Sequence, residues 1–201
     1  YEQVLASRDM PGAQWFAGST LNYAEHIFRK ENDAHPAMLF QSERHPLMEI
    51  NWRELRQRVA SLAAWMKEVG VEKGDRVVAF LPNIPEATVA FLAANSLGAI
   101  WSSCSPDFGV KSVVDRFRQI EPKVLITVDG YQYNGKPYGK METVGEICEQ
   151  LPTLEQVVLI PYLDPKAKPS LLPNGLAWED TQQRLEAELE FAPLPFDHPI
   201  W

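Results

Sequence analysis

Arg76-Val77-Val78-Ala79-Phe80-Leu81-Pro82-Asn83-Ile84-Pro85-Glu86 is a short apolar run halted by two prolines. A run of this length, entered through the turn Glu72-Lys73-Gly74-Asp75, reads as a strand buried on both faces, as in a parallel sheet. Pro85 opens the helix that follows, which extends to Leu97 and is closed by Gly98. Ala87, Val89, Ala90, Phe91, Leu92, Ala93 and Ala94 leave this helix apolar nearly all round, so it is expected to lie between layers. Ile100 to Cys104 is the next strand. Strand, helix and strand at this spacing form a βαβ unit with a right-handed crossover.

The same alternation continues downstream. Gly109 to Ile120 reads as a helix that ends before Pro122, Lys123 to Val128 as a strand, Asp129 to Gly139 as a loop, Glu142 to Leu151 as a helix and Val157 to Ile160 as a strand. Ala177 to Glu190 has the pattern of an exposed helix, and the proline-rich last ten residues are expected to be extended. Upstream, Leu55, Val59, Leu62, Met66 and Val69 recur at helical spacing between a capping box at Asn51-Trp52-Arg53-Glu54 and the stop at Gly70. Ala37 to Ser42 and Leu47 to Asn51 form a β-hairpin around Glu43-Arg44-His45-Pro46. Ser19 or Thr20 is the expected cap of a helix running through Arg29. The fold class is therefore α/β: a mainly parallel, doubly wound sheet with helices on both faces, preceded by a helical extension over residues 1–36 and the hairpin, with residues 37–201 as the sheet domain.

The chain has 201 residues, 45% of them hydrophobic and 23% charged, and a formal charge of −8. That composition excludes wholesale disorder. The acidic balance argues against non-specific binding to nucleic acid or to an anionic membrane, while leaving room for a small anion held by a local Lys or Arg. Cys104 and Cys148 fit no metal or redox spacing, which points to a reducing, cytoplasmic setting. The longest apolar stretch, Ala87 to Trp101, is too short and too polar to span a bilayer. The chain starts at Tyr1 and stops inside the apolar phrase Phe196-Asp197-His198-Pro199-Ile200-Trp201, so it reads as a fragment of a longer protein.

Self-contained catalytic chemistry is not legible. No Gly-rich dinucleotide fingerprint or Walker A loop is present, since Gly135-Lys136 is followed by Pro137. Ser102 and Ser103 have no nucleophile-elbow glycines. His26, His35, His45 and His198 pair with no second ligand at metal spacing. Three spots stand out as ligand-facing: Leu81 to Glu86 and Cys104 to Gly109, both at strand ends, and Tyr131-Gln132-Tyr133-Asn134-Gly135-Lys136 after the next strand. Spacing alone reads the first two as ordinary βα connections and the third as a solvated loop. Aromatics beside Gly and Lys can also stack on a base and meet a phosphate.

Trp15-Phe16-Ala17-Gly18-Ser19-Thr20-Leu21-Asn22-Tyr23-Ala24-Glu25 resembles the entry motif of the short-chain acyl-CoA synthetases, and Gly74 to Ala79 with Pro82 to Ala87 resembles the first core strand and helix of the adenylate-forming enzymes. Ser105-Pro106-Asp107-Phe108-Gly109 is similar to the form found in the acetoacetyl branch, where the acetyl branch has a Gly-Gly-Phe ending. The resemblance runs from about Met10 to Trp201. It implies the first part of an adenylate-forming fold, cut before the phosphate loop, from a parent that activates acetoacetate with ATP and Mg2+ to an acyl-adenylate and passes it to CoA. A ligase for another short-chain acid, or a non-enzymatic nucleotide- or CoA-binding scaffold of the same ancestry, are the alternatives.

The resemblance implies no catalytic residue and no metal ligand within this chain, and hence a fragment that is inactive alone. It implies a CoA contact at Tyr133, Asn134, Gly135 and Lys136, matched to an Arg-Gly-Gly-Arg stretch of the acetyl-CoA synthetases. Lys136 would meet a phosphate there, and Tyr133 or Tyr131 the adenine. The turn Ser105 to Gly109 matches a glycine turn near the pantetheine path. His26 stands where many relatives have Asn. The partners implied are a small carboxylic acid, ATP, CoA and the remainder of the parent chain, with self-association of the fragment through the uncovered sheet, and no nucleic acid or membrane.

Overall fold

The computed structural model describes residues 1–201. In chain order the elements are β1 (Gln3–Ser7), β2 (Gln14–Ala17), β3 (Thr20–Leu21), α1 (Tyr23–Phe28), β4 (Met38–Phe40), β5 (Met48–Ile50), α2 (Trp52–Glu68), β6 (Arg76–Phe80), α3 (Pro85–Leu97) and β7 (Ile100–Cys104). They continue with α4 (Val110–Phe117), β8 (Val124–Val128), β9 (Gly130–Tyr133), β10 (Lys136–Gly139), α5 (Met141–Glu149), β11 (Gln156–Ile160), β12 (Gly175–Ala177), α6 (Trp178–Thr181) and β13 (Leu194–Pro195).

The sheet has five parallel strands in the order β12-β11-β8-β6-β7. Its inner strands are apolar on both faces, and the pleat divides their side chains between two cores. Val77 and Ala79 of β6, Val124, Ile126 and Val128 of β8, and Val158 and Ile160 of β11 join α1, α2 and α3 in one core. Val78 and Phe80, Leu125, and Val157 and Leu159 point the other way, against α4 and α5. Each Val, Leu, Ile or Phe among them contributes about 1.5–3 kcal/mol on full burial, so the alternation along three strands outweighs any single cap or ion pair. The doubly wound sheet with helices on both faces is as the sequence indicates.

The chain passes from β6 to β7 through α3 on one face. It returns through α4 on the opposite face and lays β8 on the other side of β6. The connections therefore diverge around the carboxyl end of β6, the position at which open α/β sheets leave a crevice. Gly98 makes the tight exit from α3 possible. Its φ of 78° is left-handed, and a Cβ there would lie 2.7 Å from a methyl of Leu194.

Several local expectations are corrected. Residues 1–36 are not helical throughout: β1 and β2 pair antiparallel, β3 pairs with β13, and α1 is one short helix. Its cap is Asn22, not Ser19 or Thr20; the Ser19 hydroxyl donates to the Phe16 carbonyl instead. At α2 the Asn51 side chain accepts from the Glu54 N–H at 2.9 Å, but the Glu54 carboxylate pairs with Arg58 and does not close the box. The helix expected over 177–190 is only α6. Side chains of α2 capture the backbone beyond it: Ser61 Oγ donates to the Thr181 carbonyl and accepts from the Arg184 N–H, and Gln57 donates to the Leu185 carbonyl. The stretch expected as a loop over 129–139 is the antiparallel β9–β10 hairpin from Gly130 to Gly139.

Asn22 staples the amino-terminal segment to the sheet domain. Its Oδ1 accepts from the N–H groups of Ala24 and Glu25, and its Nδ2 donates to the carbonyls of Asn95, Ser96 and Ala192 at 2.9–3.2 Å, all with 1% of the residue exposed. Loss of a cap costs about 1 kcal/mol, and each buried partner left unpaired about 1–3 kcal/mol more. Asn22→Ala is therefore expected to lower stability by roughly 2–4 kcal/mol in urea unfolding. Asn22→Asp keeps the cap but turns a carboxylate toward three carbonyls, and is expected to be at least as damaging at neutral pH and partly relieved in acid. Full stability of Asn22→Ser, which keeps only the cap, would show that the amide donors contribute nothing.

Candidate functional site

The three stretches singled out in the sequence lie at one end of the sheet, because each follows the carboxyl end of a parallel strand: Leu81 to Glu86 after β6, Ser105 to Gly109 after β7 and the β9–β10 hairpin after β8. A cleft of about 400 Å³ opens between the first two, walled by Pro82, Asn83, Phe91, Ser103, Ser105 and Trp201.

The structure joins the β7 turn to the hairpin. Ser105 Oγ donates to Asp107 at 3.0 Å, and the hydroxyl of Tyr131 on β9 donates to the other oxygen of the same carboxylate. The Tyr131 hydrogen bond, helped by Ser105, holds the Asp107 carboxyl below its usual range. The reciprocal effect pushes the Tyr131 phenol up to about 12. The Tyr131 ring stacks on Tyr138 of β10, with centroids 5.3 Å apart and planes 16° apart, and the Lys140 ammonium lies 5.6 Å from its centroid. Both the ring and the hydroxyl of Tyr131 are thus engaged within the protein. Tyr133 is 67% exposed. Lys136 is exposed, and its ammonium has no hydrogen-bond or ion-pair partner.

The hairpin tip is a two-residue loop. Tyr133 pairs with Lys136, and Asn134 and Gly135 have φ of 50° and 73°. Asn-Gly is the pair that best tolerates two successive left-handed residues. That dipeptide, flanked by Tyr131-Gln132-Tyr133 and Lys136-Pro137-Tyr138, was the available signal for the hairpin. The turn between β4 and β5 docks on it. The Glu43 carboxylate accepts from the N–H groups of Asn134 and Gly135 at 2.7 Å each, which lowers its pKa. Arg44 donates to Gln132 Oε1 and to the Leu163 carbonyl.

Asp129, at the end of β8, sets the floor of this region. It is 5% exposed, and its carboxylate accepts from the N–H groups of Tyr162, Leu163 and Asp164 at 2.7–2.8 Å. Nothing local in the sequence marks Asp129 for this role, since its partners lie more than thirty residues downstream. Cys104 and Cys148 are both free and buried; burial pushes the Cys104 thiol up and the Cys148 thiol up to about 11, so both stay protonated at neutral pH. His26, His35 and His45 lie apart, His45 packing beside Tyr162, while His198 Nε2 is 2.8 Å from the Gly98 carbonyl. No three His, Cys, Asp or Glu side chains are grouped as a metal site.

Residues 27–196 match the family model described as AMP-binding enzyme. The whole chain aligns with the acetoacetyl-CoA synthetase of Mus musculus at 46% identity over 212 residues, covering 31% of that protein. It aligns with the acetoacetyl-coenzyme A synthetase of Rhizobium meliloti (strain 1021) at 40% identity over 205 residues, again covering 31%. Among solved structures, an acetoacetyl-CoA synthetase from Streptomyces lividans superposes over 100% of this chain and 31% of its own, with a TM-score of 0.91 and 49% identity. The chain thus spans 31% of the length of these relatives.

The Asp107–Tyr131 bond sets a pH window for the hairpin. Asp107 is lowered from 3.8, so its contribution is complete above the ordinary Asp range and is lost as acid protonates the folded carboxylate. Tyr131 is raised from 10.0, so its contribution is complete below that value and is lost as pH rises through about 12. Ultraviolet titration of the tyrosines is expected to show one phenol ionising near 12, moving back toward 10.0 in Asp107→Asn. An unchanged titration in that variant would refute the assignment.

Proposed function

We propose, from the premise that this chain belongs to the AMP-binding enzyme family, that it is the amino-terminal part of an acetoacetate–CoA ligase. In that reaction a carboxylate oxygen of acetoacetate attacks the α-phosphorus of ATP and pyrophosphate leaves. The CoA thiol then attacks the acyl carbon of the adenylate, loses its proton, and AMP departs. Adenylation is needed because a carboxylate oxygen is a poor leaving group and a phosphate ester oxygen is a good one. Magnesium is the expected partner of the ATP phosphates; no residue of this chain is assigned to it.

The observation that carries this reading is the likeness to acetoacetyl-CoA synthetases along the entire chain, with Ser105, the first residue of Ser105-Pro106-Asp107-Phe108-Gly109, lining the cleft at the strand ends. Within the reading, residues 1–36 are an extension docked on the sheet domain and residues 37–201 the first part of the AMP-binding domain. Tyr133, Asn134, Gly135 and Lys136 are the CoA contact. The exposure of Tyr133 and the unpaired ammonium of Lys136 support stacking on the adenine and contact with a phosphate respectively.

The remainder of the parent chain is proposed to join the sheet at β7. That strand is at the sheet edge, its Trp101 N–H already donates outward to the Ile200 carbonyl at 3.2 Å, and Trp201 beside it is 68% exposed. An edge of this kind also favours self-association of the isolated chain. No helix is long and apolar enough to cross a membrane, and the two free, buried thiols support a cytoplasmic setting.

Pyrophosphate release by the parent, measured with acetoacetate, acetate, propionate and butyrate, is expected to favour acetoacetate. Preference for another acid would keep the ligase and discard this substrate; silence on all four would favour a binding scaffold. The present chain alone is expected to release none. In the parent, Lys136→Ala is expected to raise the CoA concentration needed for half-maximal thioester formation by about ten-fold, the equivalent of one lost charged contact, with ATP–pyrophosphate exchange unchanged. An unchanged CoA requirement would remove Lys136 from the site.

A further inference from the structure

The two-residue tip of the β9–β10 hairpin leaves two backbone donors that the ladder does not use. Tyr133 and Lys136 close the loop, so the N–H groups of Asn134 and Gly135 face outward. In the structure both donate to the carboxylate of Glu43, which arrives from the β4–β5 turn. Glu43 has one further polar contact, from the Gln132 amide at 3.4 Å, and no ion pair. It is an exposed carboxylate held by neutral donors, while the nearby Lys136 stays unpaired.

Two adjacent N–H groups bridged by two oxygens of one anion form a small anion site, and a phosphate offers the same pair of oxygens with more charge. Removing Glu43 from the tip leaves the rest of the docked turn in place. Arg44 still donates to the Leu163 carbonyl at 3.0 Å, and the Tyr162 hydroxyl to Ser42 Oγ at 3.0 Å. Displacement therefore requires one side chain to swing out, not a loop to unfold.

We propose that Glu43 is a resident competitor in a phosphate site formed by the Asn134 and Gly135 N–H groups with Lys136, and that a phosphate of CoA must displace it. Glu43 then sets how weakly the tip holds phosphate before the rest of the ligand is engaged. This rests on the assignment of the hairpin to CoA.

The test is amide chemical shifts of Asn134 and Gly135 in the 201-residue chain, titrated separately with inorganic phosphate, CoA and pantetheine. The proteins compared are the wild type, Glu43→Ala, Glu43→Gln and Glu43→Ala with Lys136→Ala. In Glu43→Ala, phosphate is expected to give a saturable shift at both amides at a concentration roughly ten-fold below that for the wild type, as for a tenfold change in dissociation constant. Glu43→Gln should fall between them, and the added Lys136→Ala should weaken the effect. Equal titrations in wild type and Glu43→Ala would overturn the proposal, provided that cross-strand contacts between Tyr131 and Tyr138 show the hairpin intact. A variant that loses those contacts is replaced by Glu43→Gln for the same comparison. If phosphate saturates Glu43→Ala but CoA binds no better than pantetheine, the anion site stands and the CoA assignment falls. If CoA gains as phosphate does, both stand.

Discussion

Burial of both faces of the parallel sheet is the constraint from which the rest of this structure follows. Strands β6, β8 and β11 carry apolar side chains at consecutive positions, so neither face can be left to water. Helices must cover each side, and parallel strands require crossovers long enough to supply them. With both faces closed, the open places for polar function are the strand ends. The order β12-β11-β8-β6-β7 then gathers the turns after β6, β7 and β8 at one rim, although they are far apart in sequence.

Two buried polar side chains convert that layered body into a single unit. Asn22 uses both ends of its amide, so that the amino-terminal segment, the end of α3 and the segment at Ala192 meet at one residue. Asp129 does the corresponding work at the rim, where three N–H groups of the segment after β11 converge on its carboxylate. Neither contact adds much net energy over hydration. Each is expensive to break, because its partners would be stranded away from water.

The sheet was legible because its signals are local and redundant. The apolar runs at Arg76–Phe80, Val124–Val128 and Gln156–Ile160, and the Pro and Gly at the ends of α3, each point to one conformation. The site was only half legible. Its three stretches are visible as strand-end turns, but what joins them is long-range: Glu43 on the 134–135 tip, Tyr131 on Asp107, Asp129 on 162–164. The β9–β10 hairpin was readable from Asn134-Gly135, which outweighs the loop-like composition around it. The extent of α6 was not, since Ala177 to Glu190 has a helical pattern and loses its backbone partners to Ser61 and Gln57 of α2. The three residues of β12 are too few to show any period.

Local charge, not total charge, governs what the rim attracts. The chain carries −8 overall, yet screening limits exposed charges to neighbours within about 8 Å at physiological salt. Around the hairpin the cations are Arg44, Lys136 and Lys140, and the exposed anions are Glu43 and Asp107, with the Asp129 carboxylate buried beneath them on three N–H groups. Asp107 is fixed by Ser105 and Tyr131. Glu43 is held only by neutral donors, which stabilise its charge without cancelling it. It is therefore the one carboxylate whose position decides whether the tip presents an occupied or a vacant pair of N–H groups to an anion. An acidic protein can in this way carry a local pair of anion-facing donors without altering its net charge, and the group seated on them here is itself an anion that uses two oxygens.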